Sequence, residues 1–180
     1  MSEAMLIEDG VCGLRRLAMT DVGPAYLGWM NDPEVTRYLE SRYASWDLAQ
    51  LEAWLRGSLA DPASHPLAIL ALPQGRHVGN LKIGPVRQPH RVAEVGVMLG
   101  ERSLWGRGLG SRALRLAAAW ARDSLGLHKL TAGCYANNPG SIRAFEKAGF
   151  VREGLGRPEW LCEGLYVDGV RLGLLLDEEG

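Results

Sequence analysis

The feature that most constrains this chain is a strand candidate that runs into a glycine-rich loop and then into a long helix. The apolar run Ala93-Glu94-Val95-Gly96-Val97-Met98-Leu99 precedes Trp105-Gly106-Arg107-Gly108-Leu109-Gly110-Ser111. Strong helix formers dominate from Ser111 to Leu125, among them Ala113, Leu114, Leu116 and Ala117, and Gly126 ends the run. A loop of this kind frees backbone N–H groups, which with the first turn of a helix make a site for an anionic phosphate group. Its structural alternative is a tight strand-to-helix connection that needs positive φ, and both readings stand on these residues alone.

Two nucleotide-binding readings are disfavoured. A P-loop requires Gly-Lys-Ser/Thr, and none follows. The stretch Gly108-Leu109-Gly110-Ser111-Arg112-Ala113 satisfies the loose dinucleotide pattern G-x-G-x-x-A. However, the next strand candidate, Leu130 to Ala136, ends without the Asp or Glu that would take a ribose hydroxyl, and too little chain remains for a doubly wound sheet. A nucleotide-dependent oxidoreductase therefore loses.

The rest of the chain alternates helices and strands without a convincing linker or repeat. Thr20 or Asp21 is expected to cap a helix through Tyr26, Leu27, Trp29 and Met30 that stops near Asn31-Asp32-Pro33. A short helix, Glu34 to Leu39, follows Pro33. Ser45 is expected to cap a third, Leu48 to Leu55. Leu67 to Leu72 and His77 to Gly84 read as strands joined at Pro73-Gln74-Gly75, with Pro85 and Pro89 bounding the link to the Glu94 strand. After the Leu130–Ala136 strand comes a helix from Ser141 to Ala148, closed by Gly149. The tail Gly164 to Leu176 reads as a hairpin turning at Asp168-Gly169. This order predicts one α/β or α+β domain over residues 1–180.

Composition excludes several functions. A formal net charge of -1 argues against a general nucleic-acid footprint. No apolar run approaches the roughly 20 residues that span a bilayer, and the acidic start Met1-Ser2-Glu3-Ala4-Met5 lacks the features of a signal peptide. Cys12, Cys134 and Cys162 have no metal-ligand spacing and read as reduced thiols of a cytoplasmic protein; no metal and no thiol catalysis is expected. His65, His77, His90 and His128 show no ligand spacing either, with His77 the one outside candidate for a site role.

About thirty residues after the glycine loop comes Asn137-Asn138-Pro139-Gly140-Ser141-Ile142-Arg143-Ala144-Phe145-Glu146-Lys147-Ala148-Gly149-Phe150. Together the two segments resemble the acyl-CoA binding core of the GCN5-related N-acetyltransferases (GNAT), in particular the branch with the ribosomal-protein N-terminal acetyltransferases (RimJ/RimL type). The resemblance covers Val78 to Leu176 and, more loosely, the N-terminal helices. It implies a GNAT fold: a single mixed, mostly antiparallel sheet flanked by helices, with splayed central strands. The pantetheine arm of acetyl-CoA would lie between the Glu94–Leu99 and Leu130–Ala136 strands like an added strand. Gly96 within its strand suggests a bulge or a close backbone approach.

The same resemblance assigns roles. The family's pyrophosphate loop is R/Q-x-x-G-x-G/A; Trp105 stands where Arg or Gln is usual, a departure common in the RimJ/RimL-like branch, while Gly108 and Gly110 match. Backbone amides from Trp105 through Gly106, Arg107, Gly108, Leu109 and Gly110 to Ser111 would hold the CoA diphosphate. Arg107 and Arg112 are candidates for further phosphate contacts or are solvated. Asn138 would contact pantetheine or serve as a helix cap. The backbone of Val97, Met98 and Leu99 would border the thioester, with the N–H of Val97 or Met98 serving the oxyanion.

An alkylamine is mostly protonated at neutral pH, so a proton must leave before or during attack. Glu94 stands where the family often places its base or water-organiser, the alternative being an exposed strand carboxylate. The leaving thiolate needs a hydrogen bond. Many relatives use Tyr where this chain has Phe145, which cannot donate one, and Ser141 is the candidate instead, either beside or apart from a capping role. Trp29, Asn31, Arg37 and Tyr38, with Arg42 and Tyr43, are the candidate acceptor wall. The partners implied are acetyl-CoA and a primary amine: a protein N-terminus, an amino sugar or a small amine. A non-catalytic CoA-binding module is the second class, and the resemblance leaves homodimerisation open.

Overall fold

The structure, a computed structural model, describes residues 4–177; part of the acidic N-terminal stretch read above lies outside them. Eight strands run in sequence as β1 (Met5–Glu8), β2 (Cys12–Arg16), β3 (His65–Ala71), β4 (Arg76–Ile83), β5 (Val92–Leu99), β6 (Lys129–Tyr135), β7 (Val151–Cys162) and β8 (Leu165–Leu175). They form one sheet in the order β1-β2-β3-β4-β5-β6-β8-β7. Every neighbouring pair is antiparallel except β5 and β6, which are parallel. This is the mixed, mostly antiparallel sheet expected.

Five α-helices cover its faces: α1 (Pro24–Asn31), α2 (Pro33–Thr36), α3 (Leu48–Ala60), α4 (Leu109–Leu125) and α5 (Pro139–Lys147). Strand β3 shows why both faces need cover. Leu67 and Ile69 belong to a core cluster with Ala113, Leu114, Ala117 and Ala121 of α4, whereas Ala68 and Leu70 belong to a second cluster with Tyr26 and Met30 of α1 and Leu51 and Leu55 of α3. Alternating side chains thus bury β3 on two sides, as expected for a strand between helical layers. Small side chains at Ala113, Ala117 and Ala121 let the α4 backbone lie close against the sheet. Each large aliphatic side chain buried this way contributes about 1.5–3 kcal/mol.

Several local expectations need correction. Helix α1 starts at Pro24 with Gly23 as its N-cap, because Asp21 is engaged elsewhere: both its oxygens take Arg15, at 2.7 and 2.6 Å, and one also takes the N–H of Ala18. Asp47, not Ser45, caps α3, through a reciprocal box with Gln50. Helix α2 is a single turn, followed by a 3-10 turn at Glu40–Tyr43. Strands β1, β2 and β7 were not anticipated. The last hairpin turns at Glu163-Gly164, both with positive φ (53° and 82°), rather than at Asp168-Gly169. Gly169 lies inside β8, where a Cβ would sit 3.3 Å from the Trp160 ring; that glycine answers a close approach, not a turn.

Gly96 makes no bulge. The β4·β5 ladder runs without a shift from Gly79 opposite Leu99 to Ile83 opposite Val95, and a Cβ on Gly96 would meet nothing within 4 Å. The close approach lies across the ladder at Gly79, where a Cβ would strike the Met98 carbonyl.

Candidate active site

The parallel pairing of β5 with β6 consists of Val92–Lys129, Ala93–Leu130 and Glu94–Thr131, and stops there. Beyond Glu94 the two strands diverge, and a cleft of about 610 Å³ opens between them. Glu94 through Leu99 line one wall, Gly133, Cys134 and Tyr135 the other. The N-terminal turns of α4 and α5 line it as well, and so do Arg37, Tyr38 and Leu39.

Backbone alternation decides which groups of β5 face the cleft. Gly84 N–H donates to the Glu94 carbonyl and Gly100 N–H to the Val78 carbonyl, so the even-numbered residues bond to β4. The backbone groups of Val95, Val97 and Leu99 therefore point toward β6. Of the two oxyanion candidates, Val97 presents its N–H to the cleft and Met98 does not. Side chains alternate in the other sense. Ala93 and Val95 enter the α4-side core, which sets Glu94, Gly96 and Met98 on the α1/α3 face. The Glu94 side chain is solvent-exposed and, among the described residues, has no hydrogen-bond or ion-pair partner.

The glycine loop leads directly into the N-terminus of α4. Gly106 and Gly108 take φ of 74° and 79°, and Gly108 is the N-cap of α4. Among the described residues no protein acceptor takes the N–H of Leu109, Gly110 or Ser111; the first ladder bond is Arg112 to Gly108. Those N–H groups carry the positive end of a helix of 17 residues. The amides of Trp105 and Arg107 are already bonded, to Arg102 and Leu104. The Trp105 indole N–H donates to the Leu99 carbonyl at 2.8 Å. Arg112 pairs with Asp9 at 2.8 Å and, like Arg107, does not line the cleft; Arg143 and Lys147 of α5 do.

Asn138 caps α5, its Oδ1 accepting the N–H of Ser141 at 3.1 Å, and it also lines the cleft. The Ser141 hydroxyl is 3.3 Å from Cys134 Sγ. Burial pushes the Cys134 thiol up, with the Ser141 contact opposing, so it stays protonated at neutral pH. Phe145 borders the cleft but is a core residue, edge-on to Phe150 with ring centroids 5.0 Å apart.

The acceptor candidates separate. Arg37 and Tyr38 line the cleft: Arg37 pairs with Glu163 at 3.0 Å, and the Tyr38 hydroxyl donates to the Asn137 carbonyl at 3.0 Å. Trp29 lies elsewhere, against Gly100 and edge-on to His77 with ring centroids 5.1 Å apart. Asn31 is a tie between segments, donating to the Leu27 and Trp46 carbonyls and accepting the Trp46 N–H. Arg42 holds the hydroxyls of Tyr43 and Tyr135 and the Leu161 carbonyl. Tyr135, absent from the sequence expectations, donates to Glu40 at 2.6 Å; burial and that bond raise its pKa. Its place in a strand candidate gave no signal of this. A second pocket, of about 260 Å³, lies on the α1/α3 face and shares Leu39, Gly96, Val97 and Met98 with the cleft.

A mid-sheet opening beside a helix N-terminus within this sheet order is the arrangement of a GNAT-type acetyltransferase domain, and the comparisons agree. The chain belongs to the GNAT acetyltransferase family: the sequence profile of the acetyltransferase (GNAT) domain matches residues 12–151. It is 34% identical over 90 residues to the probable N-acetyltransferase YjcK of Bacillus subtilis strain 168, covering 50% of this chain and 49% of that protein, so the match spans about half of the relative. It is 27% identical over 169 residues to the uncharacterized N-acetyltransferase p20 of Bacillus licheniformis, covering 92% and 93% of the two chains. The fold superposes with a TM-score of 0.82, at 22% identity and over 93% and 97% of the chains, on the spermidine N-acetyltransferase of Vibrio cholerae in complex with CoA and spermine.

Proposed function

We propose that this chain transfers an acetyl group from acetyl-CoA to a primary amine by direct attack. The observation that carries the reading is the end of the β5·β6 ladder at Glu94–Thr131, beyond which the backbone of Val97 faces, without a β6 partner, a cleft that also holds the unbonded amides of Leu109, Gly110 and Ser111. Those amides, with Arg143 and Lys147 at the same end, fit the diphosphate of CoA. Trp105-Gly106 supports placing the chain near the RimJ/RimL-type branch.

In this mechanism Glu94 accepts the ammonium proton, directly or through water, on the face where the second pocket meets the cleft. The amine nitrogen bonds to the thioester carbonyl carbon, and the Val97 N–H stabilises the oxyanion that develops. The C–S bond then breaks, releasing the N-acetylated product. The nitrogen of the tetrahedral intermediate gives up its second proton through water to the departing thiolate, to which the Ser141 hydroxyl hydrogen-bonds. Cys134, held as a thiol, plays no nucleophilic part.

The test is thiol release from acetyl-CoA with primary amines of different classes, alongside calorimetry of CoA. The reading expects CoA binding and amine-dependent thiol release. A protein that fails to bind CoA overturns it.

A further inference from the structure

The second pocket carries one acid and one base. Glu40 and Lys82 are the side chains of its lining that are charged at neutral pH, and Met30, Trp46 and Trp54 make much of the remaining wall apolar. The two differ in what already holds them. Glu40 accepts the Tyr135 hydroxyl at 2.6 Å. The Lys82 ammonium has, among the described residues, neither a hydrogen-bond nor an ion-pair partner.

Strand register accounts for this. Lys82 stands opposite Pro66 on β3 and opposite Gly96 on β5, and neither side chain can meet an ammonium. Its diagonal neighbour on the same face is Glu94, at a position about 7–8 Å away in such a ladder, and no ion pair joins them. Lys82 is half-buried. A cation partly withdrawn from water without a counter-charge is costly, and an anionic ligand would offset that cost.

Gly96 opens the floor between Lys82 and the cleft. A Cβ there would meet nothing within 4 Å, and Gly96 lines both the pocket and the cleft. Lys82 is on β4, at one edge of β5, and the Val97 N–H points from the other edge. A molecule lying across Gly96 thus spans about one to two strand spacings, roughly 5–10 Å.

We infer that the acceptor is a zwitterion: a primary amine that carries, several bonds from its nitrogen, a carboxylate or phosphate held by Lys82. This rests on the acetyltransferase reading and deepens it, with Lys82 as the specificity-determining residue. Glu40 and Glu94 are left to face the ammonium end. The nitrogen loses its proton there and forms the N–C bond as the C–S bond breaks, while the anion takes no part in bond making. A second ammonium in place of the anion would lie against Lys82, where like charges repel.

The experiment compares kcat/KM for 6-aminohexanoate, 4-aminobutyl phosphate, 6-aminohexanamide and 1,6-diaminohexane. These are of similar length and end in a carboxylate, a phosphate, a neutral amide and a second ammonium. The full chain should favour an anionic amine over the amide by about tenfold, the scale of one charge-assisted hydrogen bond, and the amide over the diamine. Preference between the first two identifies the anion. Lys82→Gln should erase the anionic advantage through KM, because recognition is lost and not chemistry. Lys82→Glu should invert the order and put the diamine first, a result that mere destabilisation would not give. Equal use of the amide and the anionic amines, an advantage that survives Lys82→Gln, or CoA binding with turnover of none of the four overturns the inference. Failure to bind CoA overturns the parent reading instead.

Discussion

Trp105 closes the glycine loop onto the end of β5: its indole N–H donates to the Leu99 carbonyl at 2.8 Å. The side chain that stands in place of the family's usual Arg or Gln therefore secures the loop to the strand that walls the cleft. Trp105→Phe keeps the ring but removes the donor. CoA affinity should fall about three- to tenfold, as expected for one lost hydrogen bond, with little change in the unfolding midpoint. Calorimetry decides this, and unchanged affinity would detach Trp105 from the site.

Gly108 has φ of 79° at the N-cap of α4. Gly108→Ala should cost about 1 kcal/mol of stability through left-handed strain. Gly108→Asp adds a carboxylate at the anion site and should reduce CoA affinity far more than the alanine variant does. Equal CoA affinity in the two variants would refute the loop assignment.

Glu94 sits where the β5·β6 ladder ends. Removing a base matters most where the amine is most protonated. Glu94→Gln should therefore lower kcat by about a hundredfold at low pH, with partial recovery at high pH and intact acetyl-CoA binding. A loss that is flat across pH would take Glu94 out of the proton path.

Burial holds the His77 imidazole below its ordinary pKa, against opposing pulls from Asn80 and Asp21. The unfolded chain consequently protonates first on acidification. Stability should fall as pH drops below about 6.5 and level off beneath the folded-state value, with a slope of at most about 1.4 kcal/mol per pH unit for each proton. His65, lowered by burial and by Arg16, contributes in the same window. Urea unfolding of His77→Gln across that window should show a shallower slope. Identical slopes would mean that His77 does not titrate differently in the folded state.

The sequence displayed the parts whose local and tertiary demands coincide. Helix α4 combines strong helix formers with a positive-φ glycine at each end, and the residues of both glycine-loop and Asn138 segments gather at one end of the cleft. Strand β7 was illegible because most of its side chains are exposed and its register shifts twice, leaving no period-2 pattern. Asp168-Gly169 imitated a hairpin turn, whereas the real turn uses Glu163 in a conformation its residue type does not announce. Trp29 and Asn31 looked like acceptor residues only through family likeness; their neighbours His77, Gly100 and Trp46 come from distant parts of the chain.

The divergence of β5 from β6 has a consequence for solubility. Unpaired strand backbone at the rim of a sheet templates aggregation with other chains. Here the open backbone is in the interior of the sheet, with five strands on one side, β1 to β5, and three on the other in the order β6-β8-β7. The outer rim at β7 is guarded by Arg152, Glu153, Arg157, Pro158 and Glu159. The protein can thus offer hydrogen-bonding main chain to a slender ligand while denying it to a neighbouring sheet.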